Sequence, residues 1–134
     1  EFKEGPAVTY CFTKTLNTSF DEAIEQATAA LKEKGFGVLT TIDVKKTLKE
    51  KIDADFRPYT ILGACNPNFA HQALQNEPKI GTMLPCNVIV EEVDGAIEVS
   101  AVDPLASMQA VENPALEGIA REVQSLLKEV IDAL

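Results

Sequence analysis

The sequence predicts an α+β domain built on a mainly antiparallel sheet. Three features point there. Five short strand-like runs alternate with amphipathic helices in the order β-α-β-α-β-α-β-β-α. Asp94-Gly95 joins the last two strands as a tight hairpin, because a type I′ turn needs positive φ at both central positions. That hairpin makes part of the sheet antiparallel and favours α+β over a doubly wound α/β arrangement. The chain also closes on a long amphipathic helix, from Leu116 to Leu134, which can cover one face of the sheet. The other face is then free for a partner, and a homodimer is expected.

The 134 residues fit one domain, 1–134, long enough to bury a core. With 46% hydrophobic and 25% charged residues, the chain is globular rather than disordered. A net charge of -9 and a pI near 4.5 oppose a phosphate backbone and an anionic membrane surface. No basic stripe interleaved with aromatics offsets that charge, so neither nucleic acid nor membrane is an expected partner. No apolar run reaches the roughly 18 residues that a membrane span needs. Three cysteines are too few for a disulfide scaffold, and the odd count favours free thiols in a reducing compartment, the cytoplasm. The sequence begins at Glu1 rather than Met, as a trimmed chain or one that has lost an export signal would.

Taken in order, residues 6–13 alternate as a first strand, with Tyr10 and Phe12 in one phase and Cys11 in the other. Thr18 or Ser19 caps the first helix, and Ser19 with Glu22 matches a capping box. Phe20, Ala23, Ile24, Ala27, Ala30 and Leu31 form its apolar stripe, and Gly35 ends it. Residues 36–42 form a second strand, with Phe36, Val38 and Thr40 on one face and Gly37, Leu39 and Thr41 on the other. Asp43 caps a short helix with Val44, Leu48 and Ile52 on one side. Lys45, Lys46, Lys49 and Lys51 cover its other side as a solvated face. Arg57-Pro58 opens the third strand, 58–64.

A helix from Pro67 to about Asn76 follows, stopped by Pro78, and residues 79–84 read as an extended connection with a turn at Gly81. The fourth and fifth strands are 85–93 and 96–102. Asp103-Pro104 breaks the fifth, and residues 103–113 form a loop with a helical turn over 105–110. Asn113-Pro114 then starts the final helix.

The stretch from Leu62 to Val90 carries the candidate chemistry. Asn66 can cap a helix, and Pro67 fits the first helical position, where a missing N–H costs nothing. Cys65 therefore lies just before a helix N-terminus, where partial positive charge favours a thiolate. A second Cys-Asn pair, Cys86-Asn87, opens the fourth strand.

The run F-R-P-Y-T-I-L-G-A-C-N-P, then A-x-x-A-L and L-P-C-N-V-I-V, resembles the prokaryotic domain of unknown function 302 family. The matching stretch runs from about Phe36 to Asp103, and the flanking elements agree in placement. The resemblance implies a TATA-binding-protein-like fold, a curved and mainly antiparallel five-stranded sheet with helices on one face. It also implies a dimer, and it marks Cys65, Asn66, Pro67, Pro85, Cys86 and Asn87 as the motif residues. It carries no implication of DNA binding, since this chain is acidic.

Three readings of the motif follow, and no reaction is named by any of them. The leading one is a dimeric ligand-binding or interaction module without catalysis, in which the cysteines pack and Asn66 and Asn87 order the backbone. The second is a thiol, sulfur-handling or redox site of Cys65 and Cys86, supported by Asn66, Pro67 and Asn87, with a small molecule or sulfur species as ligand. The third is metal or haem binding through Cys65, Cys86 and His71. Cofactor and substrate are otherwise unknown. No G-x-S-x-G, H-E-x-x-H or phosphate loop occurs, and Glu91-Glu92 point to opposite strand faces.

Overall fold

The structure, a computed structural model, describes residues 10–134. The start of the expected first strand lies outside those residues. Its described part is β1 (Cys11–Leu16), which runs on past Thr13. There follow α1 (Phe20–Glu33), β2 (Gly37–Asp43), α2 (Val44–Ile52), β3 (Tyr59–Cys65), α3 (Pro67–Asn76) and a 3-10 segment (Pro78–Met83). Then come β4 (Cys86–Val93), β5 (Ala96–Val102), the one-turn α4 (Pro104–Ser107) and α5 (Pro114–Asp132). The five strands form one sheet in the order β1-β5-β4-β3-β2, every neighbouring pair antiparallel. The expected α+β, TATA-binding-protein-like class is the one observed.

Local chemistry sets the element ends. Ser19 Oγ accepts the N–H of Glu22 at 3.1 Å and donates to Glu22 Oε1 at 3.0 Å, a side-chain version of the capping box. Asp43 and Asn113 accept from the first turns of α2 and α5, each at 3.0 Å. Asp94 and Gly95 hold φ of 51° and 82°, as the β4–β5 turn requires. At the far end of α5, Lys14 donates to the carbonyls of Asp132, at 3.1 Å, and of Leu134. It satisfies orphan acceptors and places a cation at the negative end of the helix.

One phase of the strands faces the helices. Leu62 and Ala64 of β3, Val88 and Val90 of β4, and Ile97, Val99 and Ala101 of β5 are all buried there. They pack against Ala23, Ala27 and Leu31 of α1 and Val123, Leu127 and Val130 of α5. Full burial of a side chain such as Leu127 contributes about 1.5–3 kcal/mol. The alanines of α1 let that helix approach the sheet closely. Among the described residues, no helix is long and apolar enough to cross a membrane.

Three expectations are corrected. The ladder between β2 and β3 shifts register between Val38 and Thr40, so an extra residue, Leu39, flips the alternation. Val38 and Thr41 share one face, Thr40 and Ile42 the other, and Leu39 is 68% exposed. Residues 78–83 coil into a 3-10 segment rather than an extended connection, which buries Ile80 with Ala73 and Leu116. The short helix after β5 starts at Pro104, because Asp103 caps it by accepting the N–H of Leu105 at 3.0 Å. The α2 helix packs beside β2 and β3 but buries no residue, and Ile52 is exposed, so its apolar side adds nothing to the core.

Gly63 fixes the spacing of β2, β3 and the entry to β4. A Cβ there would overlap Thr40 Oγ1 and lie 2.9 Å from Pro85 Cγ. Gly63→Ala is expected to destabilise the fold by about 1–3 kcal/mol through overpacking. Adding Thr40→Ala should recover part of that loss. Urea unfolding of the two single variants and the double variant measures the coupling, and strictly additive losses would show that the contact is not the cause.

Candidate functional site

The pairing of β3 with β4 aligns Ala64 with Cys86 and Gly63 with Asn87. The two Cys-Asn segments, twenty-odd residues apart in the chain, are thus neighbours at one end of the sheet. Cys65 closes β3 and leads directly into α3. Pro85-Cys86 opens β4 after a cis Leu84-Pro85 bond. Asn66 acts as the expected cap: its Oδ1 accepts the N–H of Phe69 at 3.4 Å. Its amide nitrogen rests on Gly35, where a Cβ would come within 3.0 Å. Gly35 holds φ of 86° as it ends α1, so a side chain there would be both strained and crowded. Asn66 is therefore wedged between the end of α1 and the start of α3. Pro67 takes the first helical position, and Asn87 is exposed.

Beside this junction the chain encloses an apolar cleft of ≈ 40 Å³. Phe36 and Phe69 wall one side, Leu84 and Pro85 the mouth of β4, and Met108, Ile119 and Val123 the side of α4 and α5. Cys65 and Cys86 both border it, and among the described residues Asn66 supplies its only amide side chain. A space of this size holds a few water-sized groups; pockets for drug-sized ligands start at about 300 Å³.

Cys86 is largely buried, and its thiol is pushed up to about 11 from an ordinary 9.0. Burial is the larger cause, and the neighbouring Cys65 adds to it. At neutral pH Cys86 is a neutral, apolar S–H group. Both cysteines are free. Because Ala64, not Cys65, stands opposite Cys86, the Cβ atoms of the two cysteines point to opposite sides of the ladder. A disulfide would need the backbone to shift.

The third expected ligand, His71, lies exposed on α3 and takes no part in the cleft. Among the described residues, no three His, Cys, Asp or Glu side chains gather as metal ligands, so the set Cys65, Cys86 and His71 is not assembled. Glu91 pairs with Arg57 at 2.7 Å, which occupies it structurally. The sequence reading singled out as site residues neither Gly63 nor the cleft walls Phe36, Phe69, Leu84, Met108, Ile119 and Val123. Only Gly63 carried a signal, since a glycine inside a strand marks close backbone approach.

The model of a family described as a domain of unknown function, DUF302, matches residues 12–134. The chain belongs to the DUF302 family. A solved structure, the crystal structure of an uncharacterized conserved DUF302 protein from Bacillus stearothermophilus, is similar at 32% identity and a TM-score of 0.87. The similarity covers 93% of this chain and 98% of that one. Among curated proteins, none matches the sequence. The motif segments that resemble the DUF302 family are, in this fold, the two strand ends that frame the apolar cleft.

Proposed function

We propose that this DUF302 chain is a dimeric ligand-binding module, with a small soft or apolar ligand in the cleft and a second copy on the helix-free face of the sheet. The cleft carries the reading. Its walls are almost wholly apolar, and it lies where both motif segments converge. The buried thiol of Cys86 is neutral and so suits packing against a ligand better than attack on one.

A homodimer is supported by the other sheet face. The register places Ile42, Ile61 and Ile89 side by side across β2, β3 and β4. Ile61 and Ile89 are half-buried and Ile42 is 46% exposed. No residue of this row belongs to the buried core. A self-complementary apolar row across a sheet suits a two-fold interface. The acidic charge argues against nucleic acid and anionic membrane as partners, and three free cysteines suit the cytoplasm.

A sulfur-handling role is the second reading. One observation favours it: Cys65 is only partly buried and immediately precedes the cap of α3. It would act alone as the nucleophile, with Cys86 as a neutral neighbour.

Xenon, a small polarisable probe, tests the cleft. Under xenon pressure, saturable shifts are expected for the methyl groups of Ala73, Met108 and Ile119; uniform shifts across all exposed methyls would overturn the ligand-binding reading. Sedimentation tests the dimer. The chain should sediment as a pair, and Ile61→Lys or Ile89→Lys should reduce it to single chains while leaving the circular dichroism unchanged. A monomeric parent, or dimeric variants, would contradict the assigned face.

A further inference from the structure

The cleft does not stand alone. An open chamber of ≈ 500 Å³ lies against it, between α4 and the start of α5. Three residues line both spaces and so form the partition between them: Met108, Leu116 and Ala120. Leu116 and Ala120 are buried on one face of α5 and are held there by the helix. Met108 follows the last turn of α4, is half-buried, and packs against Ala73, Ile80 and Leu116. Its unbranched side chain is the part of the partition that can swing without moving a helix.

The two spaces differ in chemistry. The inner walls are apolar, and the Oδ1 of Asn66 there is already committed to the Phe69 N–H. The outer chamber is lined by the exposed Gln109, Glu112 and Glu117 beside Asn113. Among the described residues, no Lys, Arg or His lines it. Arg121 pairs with Glu117 at 3.0 Å but lies outside the lining, and exposed pairs of this kind are weak. The first N–H groups of α5 are taken and recruit no anion. Pro114 has none, and Asn113 accepts those of Ala115 and Leu116, each at 3.0 Å.

We propose that cleft and chamber form one site for a small primary alkylammonium ion. The alkyl tail occupies the cleft and the space that Met108 vacates, and the ammonium stays in the chamber that Glu112 and Glu117 line. This deepens the ligand-binding reading and rests on it. Each part of the ligand answers one observation. The small apolar cleft suits an unbranched tail, and n-butyl has about the length of the methionine side chain that it displaces. Carboxylates without a lining cation suit a positive head, and a primary amine keeps its charge at neutral pH as lysine does. The chamber falls within the roughly 300–1,000 Å³ of ligand pockets, so the head keeps part of its water and escapes full desolvation. Binding is reversible, and no covalent bond forms or breaks.

The test titrates the whole chain with n-alkylammonium chlorides from ethyl to hexyl and follows the methyl resonances of Leu116 and Ile119. Saturable binding is expected, tightening about 4-fold per added methylene until the cleft is full. Butanoate should bind more weakly than n-butylammonium. Glu112→Gln and Glu117→Gln should each weaken n-butylammonium by about 2- to 5-fold and leave n-butanol unchanged. Met108→Ala, which leaves no side chain to displace, should tighten every amine by about 2-fold or more. Butanoate that binds as well as n-butylammonium, or an affinity that does not rise with tail length, would mean adventitious binding and overturn the site. An affinity unchanged in Met108→Ala would show that the partition does not move and would overturn it as well. If no amine binds while xenon still enters the cleft, the two-chamber assignment fails and the ligand-binding reading stands. If neither enters, both fail.

Discussion

The pairing of β3 with β4 is the constraint on which the rest of the molecule depends. Setting Ala64 opposite Cys86 brings two distant motif segments to one sheet end and decides which side each sulfur takes. A slip of β4 by one residue would turn that strand over, burying Ile89 and exposing Val88. Two local features hold the alignment. Gly63 lets Thr40 and Pro85 close over the ladder, and Asn66 ties the end of β3 to both α1 and α3. Helices α1 and α5 then bury the chosen phase, which makes a slip costly over the whole core.

Two effects compete for the thiols at this site, and their sizes decide between them. A helix N-terminus favours a nearby negative charge by about 0.3–1 kcal/mol, less than the 1.36 kcal/mol of one pKa unit. Burial moves Cys86 from 9.0 to about 11, a larger effect in the opposite direction. Cys86 also lies at a strand start, not at a helix end. Its sulfur is therefore part of an apolar wall, and the same environment that suppresses ionisation shapes the cleft. A soft ligand is compatible with that wall because sulfur can pack as hydrocarbon does and still donate electrons.

Much of this was legible in the residues. The apolar stripe of α1 marked the face that meets the sheet, and Asp94-Gly95 marked the hairpin. Ser19, Asp43, Asn66 and Asn113 marked helix starts, each later seen to accept from its own first turn. These signals are local, and local chemistry is what a sequence displays. What escaped depends on contacts between distant segments. The bulge at Leu39 answers to the register of β2 on β3. The 3-10 segment forms because Ile80 finds Ala73 and Leu116 to pack on. Met108 and Ile119 join the cleft only once α4 and α5 fold over the sheet end. The mutual position of Cys65 and Cys86 turned on a single step of register, which no spacing in the chain encodes.

The claim that the sheet end is an apolar enclosure, with a neutral thiol built into its wall, is tested most directly by the ionisation of Cys86. Carbon-13 at the cysteine Cβ, assigned with Cys86→Ala and followed upward from about pH 7, reports it without chemical modification. A midpoint near 11 is the result expected of a sulfur held in the apolar wall of the cleft. A midpoint at or below the ordinary 9.0 would place that sulfur in water and remove the enclosure from the account.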